Sequence, residues 1–433
     1  MSQKPEETSL VTPLGQTASE SFATIRYLLV VAAPMGALVG CAIAAYDWTI
    51  NELLWKNVTA LPVEIQIAAP ILALFLTGCI LRAFRITDTS MADEVVRAYH
   101  DPSVKLARPQ SVAKLAASIT TIGLGGSAGM EGASKWVGAT IGAFVQDSLN
   151  RLRFKWLHGN SRTTLLAGGS AGIAAIFRAP LSGAVMGVES PFKHDLAHEA
   201  LLPALIASAT SFWAYTRFRP ATPYFPVSFH YTLATRDLLV AVPLGLCAGL
   251  ASHVFLGAIA AVKKASANIR LPVPVRMAIA GLLVSSIALL SWKVLGKPVT
   301  LQAGLPVAND LLNGHYLFAA CLAIFVLKIA ATSLTFGSGG VGGYFVPTAT
   351  VGAALGACFD VFFSASQPGV YTLLGIAAFS GATYNSLLFS GVFIAEATGN
   401  VFLVAPALVA CSVAFLVSSG VSNSRSQRLR RAP

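Results

Sequence analysis

From residue 329 to residue 424 the chain carries only two charged side chains, Asp360 and Glu396, and Gly and Pro punctuate the stretch throughout. Four further runs, residues 27–46, 65–81, 238–262 and 277–292, contain no Asp, Glu, Lys or Arg. Each approaches the length of about 20 residues that an α-helix needs to cross a bilayer. The whole chain of 433 residues is 55% hydrophobic and 11% charged; an ordinary soluble domain is about 25% charged. Too little polar side chain remains to cover a water-facing surface. In hydrocarbon only helices and closed barrels satisfy their own backbone, and these runs lack the alternation of a barrel strand. The pattern predicts an all-α polytopic membrane protein of about ten or more helices, many short or broken.

The ends and connectors are polar. Residues 1–24 read as a polar tail with no apolar core of a secretory signal. The net charge of +11 gathers in Arg151, Arg153 and Lys155, in Lys263 and Lys264, and in Arg425, Arg428, Arg430 and Arg431. Charge placed in short connectors follows the positive-inside rule and gives no support to a nucleic-acid partner. It predicts a cell (inner) membrane protein with both termini in the cytoplasm. The six cysteines lie scattered in apolar runs, without CxxC spacing, and read as small packing residues. The seven histidines show no HxxxH or HExxH spacing, so the sequence supports no metal site.

Two glycine-rich segments repeat. Gly125-Gly126-Ser127-Ala128-Gly129-Met130-Glu131 precedes Gly138 and Gly142; Gly339-Gly340-Val341-Gly342-Gly343-Tyr344-Phe345 precedes Gly352 and Gly356. Glu131 and Phe345 lie 214 residues apart, as do Gly138 and Gly352. Two later segments, closing on Glu189 and on Glu396, repeat at an offset of 207. Two matches in the same order imply two structural repeats, residues 25–218 and 236–424, joined by a connector at 219–235 and followed by a basic tail at 425–433. Gly-interrupted segments at corresponding positions of two halves point to a binding site near the bilayer midplane. A helix that begins inside the membrane exposes unpaired N–H groups and a partial positive charge, which bind an anion without a buried Lys or Arg. No such cation is expected beside these helix starts.

Glu131 lies in Gly129-Met130-Glu131-Gly132-Ala133, at a helix start between uncharged runs. An acid inside the membrane is a functional candidate by default. Its counterpart in the other repeat is Phe345, so the carboxylate is not a structural demand of the motif.

At these residues the chain resembles the CLC chloride channel and antiporter family. The Glu131 core is similar to the family's G-[KR]-E-G-P, and Gly343-Tyr344-Phe345-Val346-Pro347 matches G-x-F-x-P in full. Phe177-Arg178-Ala179-Pro180-Leu181-Ser182-Gly183 resembles F-N-A-P-L-[AS]-G. The resemblance implies a fold of two inverted repeats of broken transmembrane helices, assembled as a homodimer with one anion pore per subunit and no cofactor. It implies Glu131 as the gate and an anion held near Ser90, Gly129, Met130, Gly132, Tyr344, Phe345 and Val346. It also implies partners: chloride or a similar small anion, protons in the exchanging members, and membrane lipid.

Four departures bear on mechanism. The family's G-S-G-x-P is kept only as Thr89-Ser90-Met91-Ala92-Asp93, and a shift of one residue puts Met91 in place of Ser90, as in the fluoride-exporting branch. Met130 and Ala133 replace a basic residue and a proline. The proton-transfer glutamate of the exchangers aligns with Ser190, directly after Glu189, so these two are the relay candidates. The inner tyrosine of the late segment has no match, and the short tail leaves no room for appended nucleotide-binding domains. Together these favour passive or weakly proton-coupled conduction, with a chloride/proton or fluoride/proton antiporter as the alternative. An unrelated transporter of another solute would need polar groups in both halves to read it. An intramembrane enzyme built on Ser170 lacks a histidine partner in a nearby span.

Overall fold

The computed structural model describes residues 22, 24–106, 109–314, 316–363, 365–418 and 422–430. Nearly all of the polar N-terminal tail, and Arg431 at the other end, lie outside the described residues. In the first half the chain forms α1 (Thr24–Thr59), α2 (Val63–Ala83), α3 (Ala92–His100), α4 (Pro109–Gly123), α5 (Glu131–Leu149), α6 (Ser161–Phe177), α7 (Pro180–Glu189) and α8 (Leu201–Tyr215). The second half repeats the order: α9 (Thr235–Asn268), α10 (Val273–Leu295), α11 (Leu305–Asn313), α12 (Phe318–Ser338), α13 (Phe345–Phe363), α14 (Val370–Tyr384), α15 (Leu387–Thr398) and α16 (Val404–Val417). Among the described residues, extended pairing is limited to two isolated bridges. Six helices, α1, α2, α9, α10, α12 and α13, are long and apolar enough to cross a membrane.

The long helices turn one apolar face outward. On α9, Leu239, Leu246, Leu250 and Val254 are exposed, while Gly245 and Gly249 on another face touch α16. Large side chains meet lipid and small ones meet protein, because lipid removes the hydrophobic reason for helices to associate and leaves close packing to do it. The same logic explains the repeated glycines. A methyl group at Gly138 on α5 would overlap the carbonyl of Gly168 on α6, and one at Gly352 on α13 would overlap that of Gly375 on α14. The six cysteines are free thiols; Cys321, Cys358 and Cys411 are buried, whereas Cys41 and Cys247 face outward.

The repeat holds residue by residue. Helices α5 and α13 begin 214 residues apart and end 214 residues apart, and α3 and α11 keep one offset of 213. Helices α6 and α14 each stop on a residue in the left-handed region, Arg178 (φ 55°) and Asn385 (φ 52°). The next helix of each half begins two residues later. Glu189, at the end of α7, accepts the Ser386 hydroxyl (2.6 Å) and the N–H groups of Leu388 and Phe389 (3.0 Å each), at the start of α15. Glu396, on α15, accepts the Leu181 and Ser182 N–H groups (2.9 and 2.7 Å) and the Ser182 hydroxyl (2.6 Å), at the start of α7. Each half caps a helix of the other. Such reciprocity requires an approximate two-fold relation between them.

Candidate functional site

The two glycine-rich segments meet at that axis. Helices α4 and α12 end alike: Gly126 N–H donates to the Thr121 carbonyl and Gly340 N–H to the Thr335 carbonyl, both at 2.8 Å. Past these turns, Gly129 N–H donates to Gly343 O (2.8 Å) and Gly343 N–H returns the bond to Gly129 O (2.6 Å). Ser127 N–H bonds Thr335 Oγ1 (3.2 Å) and Val341 N–H bonds Thr121 Oγ1 (3.3 Å), which is again one contact made twice. Helices α5 and α13 start two residues beyond the bridge, at Glu131 and Phe345. Two helix N-termini with their unpaired N–H groups are therefore brought together at the centre of the molecule.

Glu131 fills the gap between them. Its side chain is 2% exposed. Oε1 accepts the Val346 N–H of α13 at 3.2 Å, and Oε2 is buried with no partner among the described residues. Glycine is required on both sides of it: a Cβ at Gly129 or at Gly343 would collide with the carboxylate. Gly132 allows a third close approach, to the Gly342 carbonyl. The arrangement is a negative group seated on the N-terminus of a helix, where backbone donors and helix dipole both favour an anion.

The other expected residues surround this point. The Phe345 ring packs among Phe177 (4.7 Å between centroids), Phe393 (5.1 Å), Phe389 (5.2 Å) and Tyr384 (5.8 Å). The Tyr344 ring stacks on Phe336 at 3.8 Å. Met130 receives a long contact from Asn51 Nδ2 to its sulfur (3.9 Å). Ser90 lies apart from Glu131, on the wall of a cavity of about 270 Å³ that ends against Gly342 and Gly343. Its hydroxyl donates to Asp88 Oδ1 at 2.6 Å, so the one proton it has is engaged there. The relay candidates diverge. Ser190 lines this vestibule, while Glu189 holds three donors at the start of α15. Neighbouring residues of a helix point about 100° apart, which sends the two side chains to different places.

One expectation fails. Lys135, one turn after Glu131 on α5, is 2% exposed, lines the vestibule and donates to Ser190 Oγ at 2.7 Å. A second lysine, Lys328 on α12, is fully buried and donates to the carbonyls of Thr300 (3.2 Å) and Gln302 (2.6 Å). Buried cations are thus present in the protein core, and one stands beside the helix starts. Lys135 was visible in the sequence: between Lys114 and Asp147 the only charged residues are Glu131 and Lys135. Its four-residue spacing puts it on the Glu131 face of the helix. Tyr384, on the vestibule wall and against Phe345, is the second residue that sequence reasoning missed. It lies 207 residues after Phe177, the offset of the later repeat segments.

This geometry can be set beside known proteins. A ClcB-like protein of Ralstonia nicotianae is 27% identical over 405 residues, covering 89% of this chain and 92% of the relative. A CLC-type fluoride/proton antiporter superposes with a TM-score of 0.79 at 21% identity, over 97% of this chain and 100% of that one. A slow cyanobacterial Cl-/H+ antiporter does so with a TM-score of 0.76 at 20% identity, over 90% and 94%. The two structures share the all-helical fold of inverted repeats seen here. The family profile described as voltage gated chloride channel matches residues 72–419, which is most of the chain. A multi-pass membrane protein with this repeat, this paired pair of helix starts and this match belongs to the CLC family of voltage-gated chloride channels and anion transporters.

Proposed function

We propose that the chain conducts chloride or a similar small anion, that Glu131 is its gate, and that conduction is passive or only weakly coupled to protons. The observation that carries the gate is the Glu131 carboxylate on the N-terminus of α13, bonded to the Val346 N–H. An ionised side chain and a mobile anion compete for the same donors there. Once protonated, the carboxyl loses the charge that holds it and leaves the donors of residues 129–132 and 344–346 to the anion.

Two arrangements favour weak coupling. Glu189 has both oxygens committed to α15, and the Ser190 position presents a hydroxyl that already receives an N–H from Lys135. A serine hydroxyl does not ionise near neutral pH, and an ammonium in front of it repels a proton. The second reading, a chloride/proton or fluoride/proton antiporter, is favoured by the two structural neighbours, both described as proton antiporters. The basic connectors support a multi-pass placement in the inner membrane with cytoplasmic termini. The resemblance supports a homodimer.

The test is ion flux from proteoliposomes with chloride, nitrate and fluoride compared. Wild-type flux should rise as external pH falls, and Glu131→Gln should be faster and insensitive to pH. A Glu131→Gln protein that keeps the wild-type pH response refutes the gate. In a chloride gradient without a pH gradient, the reversal potential should follow chloride alone; sustained uphill proton movement at a fixed ratio selects the antiporter.

A further inference from the structure

Lys135 is a charged group without a charged partner. Among the described residues, no carboxylate oxygen lies within 4.0 Å of its Nζ, and its one acceptor is Ser190 Oγ. An ammonium carries three donors, and a buried charge is ordinarily paired because an isolated one is costly to remove from water. Ser190 cannot complete the pairing, since its hydroxyl proton is turned to the Gly187 carbonyl at 3.1 Å. It holds the ammonium in place by a lone pair and leaves the remaining donors of Lys135 on the vestibule side.

The vestibule around it is short of negative charge. Its charged wall residues are Arg97, Lys135, Lys263 and Arg425 against Asp88 and Asp93. Both carboxylates are occupied. Asp88 accepts from Ser90 and Arg97, and Asp93 accepts from the hydroxyls of Ser424 and Ser426 and the Ser426 N–H, each at 2.9 Å. Neither reaches Lys135. A cavity with surplus fixed positive charge and low-dielectric walls concentrates anions.

We propose that Lys135 forms a second anion-binding site in the vestibule, for a small monovalent anion such as chloride or bromide, with Ser190 as the residue that positions its ammonium. The site lies on the vestibule side of the Gly129–Gly343 bridge and is built on a side-chain charge, whereas the site at Glu131 is built on helix ends. It rests on the reading of the chain as an anion pathway. An anion waiting at Lys135 raises the supply to the central site at low chloride.

The test uses full-length protein carrying Glu131→Gln, so that the central site is open as well. Crystals grown in bromide should show anomalous density beside Lys135 Nζ in addition to density at Gly129 and Val346. Adding Lys135→Met should remove only the first, and Lys135→Arg should restore it. In proteoliposomes the half-saturating chloride concentration should rise about tenfold in Lys135→Met, the factor that about 1.4 kcal/mol commands. Ser190→Ala should move it in the same direction by less, because the charge remains and only its support is lost. If Lys135→Met aggregates, the Arg and Ser190→Ala variants decide the matter alone. No bromide at Lys135, or a half-saturation that none of the variants shifts, overturns the site. The outcomes separate from those of the gate: bromide at Lys135 together with a pH response that survives Glu131→Gln keeps this site and removes that reading, and the reverse pair does the opposite.

Discussion

Replacing Glu189 separates a structural cap from a proton carrier. Its carboxylate accepts three hydrogen bonds, from Ser386 Oγ and from the N–H groups of Leu388 and Phe389, and the residue is 8% exposed. Glu189→Ala leaves three donors at the start of α15 without an acceptor. A buried unsatisfied donor costs about 1–3 kcal/mol, so the loss is about 3 kcal/mol at the least and about 4 kcal/mol as a working figure. With about 2.1 cal/mol/K of unfolding entropy per residue over this chain, 4 kcal/mol lowers the thermal midpoint by roughly 4 °C. Glu189→Gln keeps one carbonyl oxygen but turns an NH₂ towards the remaining donors, and should fall between wild type and alanine. Glu396→Ala, the mirror change, should cost a similar amount because it also strands three donors. The assay is thermal unfolding of detergent-solubilised protein followed by size exclusion, with proton movement measured in parallel in proteoliposomes. A Glu189→Gln protein with an unchanged midpoint and a lost proton flux would refute the cap and make Glu189 a carrier.

Two further outcomes are expected. Gly138→Val should prevent α5 from seating on α6, because its side chain collides with the Gly168 backbone; fluorescence-detected size exclusion should show aggregated or monodisperse protein accordingly, and a monodisperse peak at wild-type yield contradicts the packing argument. Mass measurement in mild detergent should give twice the chain mass of 45.1 kDa, and a stable monomer with full flux counts against the dimer.

What was legible in the sequence was whatever local composition dictates. Uncharged runs disclosed the helices that now face lipid, and the spacing of Gly138 and Gly352 disclosed the two halves before any contact was known. Glu131 stood out because an acid among apolar residues has few bland explanations. What stayed hidden depends on partners far away along the chain. The role of Glu189 is set by Ser386, 197 residues later, and no local pattern announces that pairing. Ser90 kept its place on the vestibule wall, yet the engagement of its hydroxyl by Asp88 is a matter of side-chain direction. Lys135 is the instructive case. Its spacing from Glu131 was readable, but the expectation that helix ends need no cation drew attention away from it.

The bridge between Gly129 and Gly343 also constrains how this protein can move. Prising the two halves apart at that point breaks the reciprocal glycine pair together with the Ser127–Thr335 and Val341–Thr121 bonds. At roughly 0.5–1.5 kcal/mol each, four such bonds amount to about 2–6 kcal/mol before any loss of packing is counted. Rotating the Glu131 side chain breaks only its bond to Val346. The backbone here acts as a latch, and rocking of one half against the other is the expensive motion. An opening step confined to one rotamer has a shallow thermal activation and belongs to the fast end of protein motions. Flux limited by that step should therefore change little on cooling, in contrast to a carrier that must reorganise whole helices on each cycle.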